Sequence, residues 1–285
     1  MNPPESSQAT PAAAHGERRA LLATCVAAAA RGAEVLRAGA ADLGRLTWEV
    51  KSPADFVSDV DRDSERAIAA LVRERHPDAR LAGEEFSPEQ AADLSGLVFV
   101  ADPLDGTTNF LHGYPWYAVS VAALVDGVPL AGAVLNAATG ELFTATAGGG
   151  ARRAGEPIAV STQSDPMRCL IGTGFPFKAP ELIAPYMEAF PEIMRATAGV
   201  RRAGAAALDL ADVACGRFDG FWELSLAPWD VAAGILLVRE AGGVVTGLDG
   251  RPAPVAHGPI VAGNPAVHAW LLDQLRLGAA RARRP

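Results

Sequence analysis

The chain has 285 residues, 49% of them hydrophobic and 20% charged, which suits one large or two modest globular domains with a sizeable core. A formal charge of -8 and a pI near 5.2 argue against non-specific nucleic-acid binding. Cys25, Cys169 and Cys215 are odd in number and far apart, which excludes a disulfide framework or a zinc knuckle and points to free thiols in a reducing, cytoplasmic compartment.

Residues 1–16 are rich in Pro, Ala, Ser and Gln, lack a signal-peptide pattern and read as a disordered tail. From Glu17 to about Ala41, Leu22, Val26, Ala29, Ala33 and Leu36 recur at helical spacing. The apolar run from Leu21 stops at Arg31, short of the roughly 20 residues that span a bilayer, so no membrane association is expected. Lys51 to Asp55 reads as a loop. Asp59, Asp61 and Asp63 open a second helix, where first-turn acids suit the helix dipole, and His76-Pro77 ends it. Leu81-Ala82-Gly83-Glu84-Glu85 places two acids after a short apolar piece and reads as a solvated loop.

Leu97 to Ala101 is a β-branched-rich run with the character of a buried strand, and it delivers the segment Asp102-Pro103-Leu104-Asp105-Gly106-Thr107-Thr108-Asn109-Phe110. Two carboxylates a few ångströms apart repel by roughly 4 kcal/mol at an effective dielectric of about 20, so they call for a cation, a shared proton or water. A divalent metal and a solvated turn both satisfy this segment taken alone. Three strands follow, Ala118 to Val125, Val128 to Asn136 and Glu141 to Ala147, joined by short turns into an antiparallel meander. Gly148-Gly149-Gly150 marks a boundary between halves and lacks the Lys-Ser/Thr of a phosphate loop. Gly172-Thr173-Gly174 is equally unspecific.

In the second half, Glu181 to Ala196 and Ala203 to Cys215 are helical in character, and Phe218 to Glu223 reads as a strand. Trp229-Asp230 opens a helix closed by Gly242-Gly243, which puts Asp230 at a helix N-terminus. Val244-Val245 and Ile260 to Ala262 are strands, and Asn264-Pro265 starts a last helix to about Leu277 before a short basic tail.

Glu84 after Gly83, the complete Asp-Pro-Leu-Asp-Gly-Thr-Thr-Asn-Phe motif, and Trp229-Asp230-Val231-Ala232-Ala233-Gly234 together resemble the inositol monophosphatase family of metal-dependent, lithium-sensitive phosphatases. The resemblance runs from about Glu17 to Leu277, and Gly172 to Phe177 and Ala207 to Leu210 look most like its bacterial branch. It implies an α+β fold, a layered α-β-α-β-α sandwich, with an antiparallel sheet in the half 17–147, a mixed sheet in the half 148–278, and tails at 1–16 and 279–285.

It also implies two to three Mg²⁺ ions. Glu84, Asp102 and the Leu104 carbonyl would hold the first, and Asp102, Asp105 and Asp230 the second, while a weaker third leans on Glu84. Thr107, oriented by Asp61, is expected to activate the attacking water, and the N-H groups of Gly106 and Thr107 to cradle the phosphate. Glu223 and Ala206 are the expected substrate contacts and Lys51 a basic position on a mobile loop. Gly204-Ala205-Ala206-Ala207 departs from the family's hydroxyl-bearing pattern, which loosens the inference to inositol.

The activity so implied is hydrolysis of a small polyol or sugar monophosphate by metal-activated water, with inositol 1-phosphate first and histidinol phosphate or fructose 1,6-bisphosphate as alternatives. Uncatalysed phosphate-monoester hydrolysis needs accelerations up to about 10²¹-fold, more than one general base supplies. An interaction protein of the transcription machinery, using Arg201-Arg202, is the alternative of another class, and a homodimer is expected.

Overall fold

The computed structural model describes residues 11–45, 48–52 and 55–282. The Ala-rich opening segment folds as α1 (Pro11–Ala40), which begins ahead of the expected Glu17 and draws residues 11–16 out of the supposed tail. Pro is favoured in the first helical turn and Ala has the highest helix propensity, which outweighs the single unfavourable Gly16 in that stretch. Residues 1–10 lie outside the described set.

Where Lys51 to Asp55 is expected to be a loop, Lys51 and Ser52 end β1 (Trp48–Ser52) and Asp55 opens β2 (Asp55–Ser58), an antiparallel pair; residues 53–54 lie outside the described set. Trp48 and Val50 alternate with Glu49 and Lys51, a strand signal that the Ser-Pro-Ala-Asp sequence after them obscures, while the consecutive Phe56 and Val57 carry no alternation. α2 (Asp59–Arg75) follows, with Ser58 and Asp61 forming a capping box. β3 (Arg80–Gly83), also expected to be loop, lies parallel to β4 (Leu97–Asp105), so the first sheet is not wholly antiparallel. The one-turn helix α3 (Thr107–Leu111) leads to β5 (Ala118–Val125), β6 (Val128–Asn136) and β7 (Leu142–Thr146), the expected meander.

The first sheet does not stop at Gly148-Gly150. β8 (Gly150–Arg153) and β9 (Glu156–Pro157) extend it to the order β3-β4-β5-β6-β7-β8-β9. Next come β10 (Leu170–Thr173), α4 (Ile183–Ala196), β11 (Gly199–Arg201), α5 (Ala206–Ala214), β12 (Gly220–Leu226), α6 (Pro228–Glu240), β13 (Val244–Thr246), β14 (Gly258–Gly263) and α7 (Pro265–Ala282). The second sheet runs β11-β10-β12-β14-β13 and is mixed: β10 is parallel to β11 and β12, and β14 is antiparallel to β12 and β13. α7 continues past the expected Leu277 to Ala282.

Period-two alternation in β4 explains the layering. Val98 and Val100 face one core with Leu208, Leu210 and Ile235 of α5 and α6, and Phe99 and Ala101 face another with Cys25, Leu36 and Ile68 of α1 and α2. A strand buried on both faces reads as an unbroken apolar run. α5 is buried from Ala206 to Ala214, and α6 buries most of its circumference between the two sheets. On the outer face of the second sheet, Ile171, Trp222 and Val261 pack against Ile193 of α4 and Val267 and Leu271 of α7. The layers are therefore α1/α2, first sheet, α5/α6, second sheet, α4/α7, an α+β sandwich of the α-β-α-β-α kind. Among the described residues no helix is long and apolar enough to cross a membrane. All three cysteines are free, with Cys25 and Cys169 buried and Cys215 half-buried.

Candidate active site

The site forms where β4 runs out. Asp102 still pairs with Ser120 of β5, but the register slips between Asp102 and Asp105, around a proline that has no N-H to give the ladder. Both carboxylates then line one cleft. Asp102 Oδ1 accepts the Leu104 N-H at 2.9 Å. Asp105 accepts the N-H groups of Ala206 and Ala207 at 3.0 and 2.8 Å, taking up free donors at the start of α5. Gly106 follows at φ 91, and a Cβ there would lie 3.0 Å from the Trp116 carbonyl oxygen, so the turn into α3 requires glycine.

Thr107 begins α3. Its hydroxyl lies 3.1 Å from both Asp61 Oδ1 and the Leu104 carbonyl oxygen. Asp61 itself accepts the Ser58 N-H at 2.9 Å and the Ser58 hydroxyl at 2.5 Å. Burial pushes its carboxyl up to about 6 against the pull of those bonds. One turn further along α2, the Ser64 hydroxyl donates to the Pro103 carbonyl at 2.9 Å, so the same helix face grips the motif at two points. Asn109 Nδ2 donates to the carbonyls of Trp116 and Ala203 at 2.7 and 2.9 Å, which ties the motif to the segment leading into α5.

Asp230 comes from the first turn of α6, where its Oδ2 accepts the Ala227 N-H at 2.6 Å. Glu84 stands just past β3 and Glu223 on β12. These side chains share a cleft of about 310 Å³ with Gly106, Thr107, Ala206, Asp209, Arg202 and the Gly174-Phe175-Pro176-Phe177-Lys178 segment. The Arg202 guanidinium sits over the rings of Phe175 and Phe177, at 5.7 and 5.2 Å from their centroids.

The electrostatics are those of crowded acid. Burial first, then Glu84, Asp105 and Asp230, push the Asp102 carboxyl well above the usual carboxylate range. Asp105 rises to about 7 through burial and then Asp230. Asp230 shifts upward mainly by burial, with the Ala227 N-H and Lys178 opposing. Glu223 is pushed up to about 8, again by burial and then Asp230, while Arg202 and Lys178 draw it back. A divalent cation relieves such repulsion, and carboxylates with a backbone carbonyl are the oxygen donors that suit Mg²⁺. Among the described residues no three acidic, His or Cys side chains close on a single point, so the fit rests on this donor chemistry and on an ion that keeps several waters.

Residues 17–280 match the inositol monophosphatase family. The chain belongs to that family. Relatives include the putative Nus factor SuhB of Neisseria meningitidis serogroup B, 42% identical over 251 residues that cover 88% of this chain and 96% of the relative. The inositol-1-monophosphatase of Rhizobium meliloti is 42% identical over 247 residues, 87% of this chain and 92% of that one. In three dimensions the inositol monophosphatase of Anabaena (Nostoc) sp. PCC 7120 superposes with a TM-score of 0.80 at 36% identity, covering 92% of this chain and 97% of the other. As an inositol monophosphatase family member, the chain is a phosphoric monoester hydrolase.

Of the residues singled out in the sequence, Glu84, Asp102, Leu104, Asp105, Gly106, Thr107, Ala206, Glu223 and Asp230 line this one cleft, and Asp61 reaches it through Thr107. The Ala206 N-H is committed to Asp105, so that residue offers the cleft its methyl group. Lys51 lies in β1, and its side chain is outside the described set. Asp209, Phe175 and Lys178 are among the cleft residues to which the sequence assigned no role. Asp209 is buried, with one carboxylate oxygen lacking any hydrogen-bond partner among the described residues. In the sequence it is one acid in a small-residue helix, with no signal that it faces Asp105. Arg202, expected with Arg201 to serve a protein partner, belongs to the cleft wall. His112 is exposed, and Trp222 is buried against Tyr186.

Proposed function

We propose that this chain is a Mg²⁺-dependent, lithium-sensitive phosphatase of small polyol or sugar monophosphates, with inositol 1-phosphate as first substrate. It acts in the cytoplasm as a homodimer. The observation that carries the proposal is the convergence of Glu84, Asp102, Asp105 and Asp230, from three separated segments, on the cleft that also holds Thr107.

When bound, Mg²⁺ supplies Lewis-acid charge for the nucleophilic water and the departing oxygen. The chain's own residues do the rest. Glu84, Asp102 and the Leu104 carbonyl, all lining the cleft, would hold one ion, and Asp102, Asp105 and Asp230 a second. Gly106 and Thr107, which line the cleft at the start of α3, would offer their N-H groups to the phosphate. The Thr107 hydroxyl, within reach of both Asp61 and Leu104, keeps a lone pair for the attacking water and passes its proton toward Asp61, which is ionised above about pH 6. Glu223, beside Arg202 and Lys178 in the second half, meets substrate hydroxyls.

A phosphate-release panel tests this with inositol 1-phosphate, histidinol phosphate and fructose 1,6-bisphosphate, each with Mg²⁺ and with or without Li⁺. Highest turnover on inositol 1-phosphate, suppressed by Li⁺ and abolished by a chelator, is expected. Activity that survives complete chelation would sink the metal mechanism, and a preference for either other substrate would reassign specificity on the same scaffold.

A second reading comes from the Neisseria relative, whose name places it among Nus factors. Partnership with the transcription machinery would then accompany or replace catalysis. Because Arg202 lines the cleft, the exposed Arg201 is the better probe, and loss of lysate partners in an Arg201→Ala pull-down that leaves turnover intact would favour this reading.

A further inference from the structure

α2 presents three buried polar side chains on its inner face: Asp61, Ser64 and Glu65. The first two already have partners in the site, Thr107 and the Pro103 carbonyl. Glu65 has a different one. Only 1% exposed, it accepts the Glu85 N-H at 2.7 Å on one oxygen and the Phe86 N-H at 3.1 Å on the other. Two successive backbone donors on one carboxylate form a charge-assisted clamp on the turn immediately after Glu84.

The residue before Glu84 meets the same carboxylate. A Cβ on Gly83 would overlap the Glu65 carboxyl group, so the chain approaches as closely as only glycine allows. The turn is also braced from outside, where the Ser87 hydroxyl donates to the Leu81 carbonyl at 3.0 Å and accepts the Gly83 N-H at 3.1 Å. The backbone of Glu84 is thereby held on both sides while its carboxylate lines the cleft beside Asp102.

We propose that Glu65 is a positioning residue that fixes the Gly83–Ser87 turn and so sets the affinity of the acidic cleft for divalent metal through Glu84. The inference rests on the metal reading of the cleft. Glu65 does not line the cleft itself. Its carboxylate matches two N-H donors, whereas a carboxamide of the same size matches one and turns its NH₂ toward the other. Loss of the clamp lets Glu84 swing, and an ill-placed ligand weakens binding even though every ligand remains; loss of supporting partners around metal sites typically costs about 10- to 100-fold in affinity.

The test is a direct Mn²⁺ titration followed by EPR on the full-length chain, alongside the Mg²⁺ dependence of turnover, for wild type, Glu65→Gln, Glu84→Gln and the double variant. Glu65→Gln is expected to weaken Mn²⁺ binding about tenfold or more, with turnover at saturating Mg²⁺ held within roughly threefold of wild type. In the Glu84→Gln background it should cause no further loss, because its effect passes through Glu84. Gly83→Ala, which pushes the turn off Glu65, should reproduce the affinity loss and serves if Glu65→Gln does not fold. Unchanged Mn²⁺ affinity in whichever of these two variants folds overturns the proposal, as does a loss that persists in full without Glu84. A wild-type chain that binds no Mn²⁺ overturns the metal reading itself, and this proposal with it.

Discussion

The Thr107 hydroxyl lies 3.1 Å from Asp61 Oδ1, joining the start of α3 to the first turn of α2 across 46 residues of chain. That contact gives the proton of an attacking water a route away from phosphorus. Replacing Thr107 by Ala removes the relay and leaves the carboxylates in place. We expect kcat to fall about 10²- to 10⁴-fold with little change in substrate KM, and Thr107→Ser to recover much of it. Steady-state phosphate release measures both, and a Thr107→Ala chain with near-normal kcat would remove Thr107 from the mechanism.

Asp102 takes part in both proposed metal positions, and Glu84, Asp105 and Asp230 all crowd its carboxylate. Asp102→Asn should abolish turnover, while the metal-free chain becomes no less stable, because burial and its acidic neighbours already drive the Asp102 carboxyl toward its neutral form and the amide is neutral as well. Turnover and thermal unfolding in chelator are the two readouts. Near-normal turnover would refute the role given to Asp102.

The raised carboxyls carry a pH dependence. Asp61, Asp105 and Glu223 keep their protons in the folded chain to about pH 6, 7 and 8, against ordinary values of 3.8, 3.8 and 4.5. Within that window the folded state binds more protons than the unfolded one. Their contribution to stability is therefore most favourable below about pH 4 and declines as pH rises toward about 8. Mg²⁺ favours the ionised carboxylates, so the gap between Tm with Mg²⁺ and Tm with chelator should widen as pH rises through the window. A gap that narrows would contradict the assignment of Asp105 to the metal site.

Asn109 serves the fold more than the chemistry. Its side-chain amide satisfies the carbonyls of Trp116 and Ala203, which no water replaces easily at a half-buried junction. Asn109→Ala should cost about 1–3 kcal/mol in urea unfolding, the usual penalty for orphaned partners. Loss of activity without that loss of stability would move Asn109 into the catalytic group.

Much of this was legible in the chain. The strand at Leu97 to Ala101, the meander after it, the helices at Glu17, Asp59 and Trp229, and the Asp102-to-Phe110 motif all follow from periodicity, turn chemistry and residue type within a few positions. β3 was not, because a four-residue parallel strand exists only through its partner, and β1 and β2 were hidden by a Ser-Pro-Ala-Asp sequence that by residue type suggests a loop. The acids of α2 looked like ordinary first-turn charges, which is what local electrostatics favours.

The sequence alone thus determined the kinds of donor available and the short-range order that presents them: an acid pair behind a buried strand, a carboxylate at a helix N-terminus, a glycine where φ is positive. The tertiary structure decided which of those donors meet. Glu65 reaches the turn after Glu84, Asp209 comes to face Asp105, and Arg202 turns onto Phe175 and Phe177, because two sheets stacked on a shared helical layer bring together residues far apart in the chain. Propensity and periodicity act over one or two turns of chain, whereas these contacts depend on how separately formed layers pack.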